Sequence, residues 1–68
     1  MSQATIYEIH VQEVLDQKWE LYFTPFVLSI CDEETVLTGL AHDQAELFGV
    51  LLKIRDSGLR LVSVHPAA

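Results

Sequence analysis

The stretch that most restricts the fold is Asp43 to Val64, DQAELFGVLLKIRDSGLRLVSV. It carries a helix start, a helix body, a helix stop and a strand in immediate succession. Asp43 is placed to cap the helix, and Glu46 stands three residues on, where a capping box wants an acid. Gly58 fits the left-handed stop after Ser57. Lys53 and Arg55 lie near the C-terminal end, where the helix dipole favours positive charge. Leu47, Phe48, Leu51 and Ile54 form the centre of the apolar arc, and Ala45, Val50 and Leu52 widen it. Glu46, Gly49, Lys53 and Asp56 leave only a narrow polar strip. A surface helix usually shows an apolar stripe a little over 100° wide, and this arc is roughly twice that. The excess most simply meets either a short first helix, within LDQKWELYFTP, or a second subunit.

The chain has 68 residues, half of them apolar. That supports one domain, spanning residues 1–68, and excludes a disordered chain. A domain this small buries only about 60% of the surface its unfolded chain exposes. One cysteine, Cys31, rules out an intramolecular disulfide. No run of Cys and His has the spacing of a structural zinc site, so neither metal nor cofactor is expected. Small chains without such staples often gain stability by associating.

Ten acidic residues against four basic ones give a net charge of −6. Lys18, Lys53, Arg55 and Arg60 form no run, so neither nucleic acid nor an anionic membrane is an expected partner. MSQATIYEIHV lacks the basic segment and hydrophobic run of a leader. No apolar run is long enough to cross a bilayer. The unpaired cysteine points to the cytoplasm.

TIYEIHV alternates. Tyr7, Ile9 and Val11 point one way, and Glu8, His10 and Gln12 the other, as in a half-buried strand. LDQKWELYFTP fits either a short helix or a strand. The helix is favoured, with Asp16 as its N-cap and Pro25 forcing Thr24 to extend and end it. FVLSICDEETVLTGL reads as a hairpin with a polar turn at Asp32, Glu33 and Glu34. Gly39 marks a bulge or a close backbone approach. LRLVSVH alternates again, with Val62 and Val64 facing the core and Leu61, Ser63 and His65 opposite, and Pro66 closes it. The order is βαββαβ, an α+β ferredoxin-like plait with a short first helix and a four-stranded antiparallel sheet. The alternative is ββαβ, should the first helix be part of a strand. The expected core is Ile9, Val11, Leu28, Phe48, Leu51, Val62 and Val64.

YEIHV, LDQKW, TVLTG and the closing DQAELFGVLLKIRDSGLRLVSV resemble a family of short uncharacterised bacterial proteins. In these a YEI-type strand leads to LD..W, then LTG, then DQA…IRD.GL.L.SV. The resemblance covers nearly the whole chain. It implies a family without a known activity and no catalytic residues to transfer. Where such proteins run on with basic residues, this chain has His65, Pro66 and two alanines.

In a plait the first and last strands are neighbours, so His10 and His65 can approach on the open face, with Glu8 beside them and Ser63 and Cys31 in range. Such convergence is what a metal or acid–base site needs. The bland alternative, polar residues on a sheet surface, is preferred on the sequence alone. Cys31 has no base or basic neighbour to activate it and reads as a small buried hydrophobe. His42 reads as the residue before a cap. Trp19, Tyr22, Phe23 and Phe26 read as core aromatics, with one of them left for a partner.

No catalytic constellation is present. The expected role is a small non-enzymatic interaction or regulatory module working as a homodimer, as ACT-type plaits do, on fold-level analogy. One alternative is a ligand-binding or catalytic dimer with its site at His10, His65 and Glu8. Another is an accessory subunit of a larger complex. The expected interface residues are Leu61 and Leu37 on the sheet and Val50 and Leu52 on the second helix.

Overall fold

A computed structural model describes residues 4–67. Residues 1–3 and 68 lie outside it, and with them the ends of the expected 1–68 domain. The elements are β1 (Thr5–Val11), α1 (Lys18–Phe23), β2 (Val27–Cys31), β3 (Glu34–Ala41), α2 (Gln44–Asp56) and β4 (Leu61–Pro66). The four strands form one sheet in the order β2-β3-β1-β4, and each neighbouring pair is antiparallel. This is the expected βαββαβ plait, and α1 excludes the ββαβ alternative.

The central pair of strands sets both faces. Ile9 lies opposite Leu37, and Leu37 opposite Leu28. Ile9 and Leu37 are fully buried, and with Val11, Leu15, Phe23, Phe26, Val50 and Ile54 they make the core. Leu28, Leu51 and Val64 pack against it, half-buried. The other parity of β1 carries Glu8 and His10 to the face opposite the helices.

α1 is shorter than two turns of helix. Its N-cap is Gln17 rather than the expected Asp16, which stands one residue earlier and accepts from the Lys18 backbone N–H at its Oδ1 at 3.0 Å. Thr24 is extended (φ −50°, ψ 135°) before Pro25, which ends the helix as expected. The loop between β1 and α1 is fixed by Thr35. Its buried hydroxyl donates to the Glu13 carbonyl at 2.7 Å and accepts from the Leu15 N–H at 2.9 Å.

α2 starts at Asp43, whose Oδ1 accepts from the Glu46 N–H at 3.0 Å. The Glu46 carboxylate reaches back one residue beyond the usual capping box, to the His42 N–H at 2.7 Å. At the other end Leu59 N–H donates to the Ile54 carbonyl and Gly58 N–H to the Arg55 carbonyl. With Gly58 at φ 75°, these two bonds make a Schellman stop.

Four expected positions are corrected. On α2 the core face is centred on Leu47, Val50, Leu51 and Ile54, about one residue round from the expected arc. Val50 is therefore core rather than interface, and Phe48 is 54% exposed on the flank. Leu37 is also core, because it shares the parity of Ile9 rather than that of the open face. Val62 is 50% exposed. The pairing of β1 with β4 shifts between His10 and Val11, so that Val11 lies opposite Leu61. The extra residue bulges the edge strand and lifts Val62 away from the core. The bulge also breaks the alternation that was expected to set Leu61 beside Ser63.

Gly39 lies within the unbulged pairing of β3 with β1 and is a close approach. A Cβ built there would meet the Phe26 ring at 2.6–2.8 Å. A buried ring cannot yield as a flexible chain end can. Gly39→Ala should cost about 1–3 kcal/mol through overpacking. Urea unfolding of the two proteins measures it, and equal midpoints would mean that the ring shifts freely.

Candidate functional site

The face of the sheet away from the helices carries a cluster of His and Glu side chains. Glu8 and His10 are two residues apart on β1 and so share a face. Across the β1–β4 pair, Glu8 lies opposite His65 and His10 opposite Ser63. His10 and His65 are therefore diagonal neighbours, and their rings stack with centroids 5.5 Å apart. Val36, opposite His10 on β3, is buried on this face and floors the cluster from the other side. The structure thus brings together all three of the sequence-derived site residues, Glu8, His10 and His65.

Glu34 is a fourth member that the sequence reading assigned to the hairpin turn. The turn holds only Asp32 and Glu33, both with positive φ (53° and 64°). Two such residues between paired strands make a type I′ turn. Glu34 is therefore the first residue of β3, on the same parity as Val36. Its Oε1 lies 3.3 Å from His10 Nδ1. A two-residue turn would have given this parity from the sequence, but Asp-Glu lacks the Asn-Gly signal that marks one.

A carboxylate only accepts, so the contact with Glu34 puts the ring proton of His10 on Nδ1. His65 is set in the same way, with Nδ1 3.4 Å from the Pro66 carbonyl oxygen. Both Nε2 atoms then face one carboxylate oxygen. Glu8 Oε1 lies 3.5 Å from His10 Nε2 and 3.8 Å from His65 Nε2. His10 Nε2 is buried and has no hydrogen-bond partner among the described residues. His10 is the less exposed ring, at 23% against 48% for His65.

Cys31 does not join the cluster. It is exposed rather than buried, and its Sγ lies 3.9 Å from Asp32 Oδ2. Ser63 shares the face. Among the aromatics, Phe23 and Phe26 are core, Trp19 packs against it, and Tyr22 is the one left exposed. The Lys53 ammonium donates to the Tyr22 carbonyl at 2.9 Å and sits 5.1 Å from the centre of its ring.

One family model matches the chain over residues 6–65, that of a Domain of unknown function (DUF8691). The chain belongs to this family. The match reaches into every element from β1 to β4 and agrees with the expectation of an uncharacterised family. No curated protein and no solved structure matches the chain. Among the described residues, no helix is long and apolar enough to cross a membrane.

The remaining histidine, His42, lies at the start of α2, where its Nδ1 is 2.9 Å from Glu46 Oε1. The Glu46 carboxyl is held below its usual range, first by the hydrogen bond from the His42 backbone N–H and then by the His42 ring. Its folded value thus lies below its unfolded one. The stability this adds is fully present above the unfolded value, about 4.3, and is lost as pH falls through the folded one. Glu46→Gln should therefore flatten the loss of stability between about pH 5 and pH 3. Denaturant titrations across that range test this, and parallel pH profiles for the two proteins would refute it.

Proposed function

We propose that this chain is a small non-enzymatic interaction module that pairs with a second copy of itself. The observation that carries the reading is an apolar surface on α2 and β4 that the fold does not cover. Phe48 and Leu52 are one helical turn apart and about half exposed. They lie on the flank of α2 turned away from Lys53, and so away from α1. Leu61 and Val62, also about half exposed, open the edge strand that follows α2. Leu52 is within one turn of the end of α2, so these side chains gather at the same end of the molecule.

A grouped apolar patch on a small domain usually marks a partner site. Two-fold pairing is the commonest way to cover one. The bulge at the start of β4 disfavours a continuous sheet across two copies through that edge. Packing of the Phe48, Leu52, Leu61 and Val62 side chains is the mode of pairing proposed. Of the residues first expected at an interface, Leu52 and Leu61 belong to this surface. Leu37 and Val50 serve the core instead.

Sedimentation at micromolar concentration tests the pairing. The expected result is a species of twice the 7.7 kDa chain mass. Leu52→Glu and Leu61→Glu should each split it while leaving the far-ultraviolet circular dichroism of the monomer unchanged. A monodisperse 7.7 kDa wild type would overturn the reading.

A further inference from the structure

We infer that Glu8, His10 and His65 form a binding site for a first-row divalent transition-metal ion, with zinc the natural occupant of such a donor set. The inference goes beyond the self-association reading and does not depend on it. One oxygen or nitrogen atom from each of these residues lies within 4.8 Å of the other two. A tetrahedral ion with bonds of 2.0–2.2 Å needs ligand atoms about 3.4 Å apart. The two separations from Glu8 Oε1, 3.5 Å to His10 Nε2 and 3.8 Å to His65 Nε2, are already close to that edge. The third edge, between the two rings, closes by rotation of the half-exposed His65.

The surroundings of the rings support the assignment independently. Metal-binding histidines usually donate their other N–H to a carboxylate or a backbone carbonyl, which fixes the tautomer and aims the lone pair. Both arrangements occur here, Glu34 behind His10 and the Pro66 carbonyl behind His65. Each ring is therefore turned with a bare Nε2 towards Glu8. Two lone pairs facing a carboxylate are mutually repulsive, and a cation between them turns that repulsion into three bonds. The buried, unpartnered Nε2 of His10 is the atom that most needs one.

The donor chemistry selects the ion. Two imidazoles and one carboxylate suit zinc, nickel, copper or cobalt, whereas magnesium and calcium prefer all-oxygen shells. Three protein ligands leave a fourth position for water or a ligand. Glu34 is a positioning residue, acting through His10.

Calorimetric titration of the full chain with zinc chloride tests the site, and cobalt(II) absorption reads the geometry. One zinc per chain is expected, with a four-coordinate cobalt spectrum and no binding of magnesium or calcium. Glu8→Gln, His10→Ala and His65→Ala should each weaken zinc binding by more than about tenfold and remove the cobalt spectrum. Glu34→Gln should weaken it by about 10- to 100-fold with the stoichiometry unchanged. His42→Ala, at the helix start, should leave it unaltered. His65 lies on the edge strand and Glu8→Gln keeps its shape, so circular dichroism melting should show these two variants folded. Zinc affinity unchanged in folded Glu8→Gln or His65→Ala, or lost in His42→Ala, would overturn the assignment. So would an octahedral cobalt spectrum that the variants share with the wild type.

Discussion

The alternation of β1 is the constraint on which the rest depends. Side chains on a strand change face with every residue. Ile9 and Val11 are fully buried against the helices. Their burial fixes Glu8 and His10 on the opposite face, with no freedom to share it out differently. A one-residue slip of β1 would put a histidine and a carboxylate into the core and two large apolar groups into water. The cost would be several kcal/mol, comparable to the whole stability of a domain this size. The cluster on the open face is therefore held by the core behind it. It needs no packing layer of its own to fix its register.

The same strand explains why so small a chain can hold a defined polar site. β1 is flanked on both sides, by β3 and by β4. Each neighbour contributes something different. β3 supplies Val36 as a buried floor and Glu34 as the carboxylate behind His10. β4 supplies His65, set by its own contact to the Pro66 carbonyl. A site on an edge strand would have only one such neighbour. The Asp32–Glu33 turn matters here for geometry rather than charge. It holds two residues in the left-handed region, at a cost of about 1 kcal/mol or more, to deliver Glu34 in register.

Much of this was legible in the sequence, for local physical reasons. The strand β1 showed itself by alternation, and α2 by Asp43 at one end and Gly58 at the other. Pro25 gave the end of α1. What was not legible depended on pairing. Leu37 could be placed on a face only once the turn length was known, because an odd or even count reverses its parity. Val62 was displaced by a bulge that no residue type announces. The change from Phe48 to Val50 at the centre of α2 is a rotation of one residue, set by how the helix lies on the sheet. Topology offered the convergence of Glu8, His10 and His65 as one reading, behind that of ordinary polar residues on a sheet surface. Linear spacing shows no zinc motif in that trio, since its members come from the first and last strands. Zinc motifs are read along the chain, and this trio is assembled across it.

The two surfaces proposed as functional are separated by the sheet itself. The apolar flank of α2 lies on the helix side, and the His–Glu cluster lies on the open side. Covering Phe48 and Leu52 with a second copy would leave Glu8 and His10 accessible from the other side of the sheet. Self-association and ion binding can then coexist in one assembly. They meet at β4, where the edge strand carries Leu61 and Val62 at its start and His65 near its end. The bulge next to Val11 falls at Val62, within the first of these two regions. Packing against Leu61 and Val62 would order the bulged half of β4, and the ordering would pass along the strand to His65, the most exposed ligand of the three. β4 thus carries residues of both proposed surfaces, and any coupling between pairing and ion affinity would have to act equally in both directions.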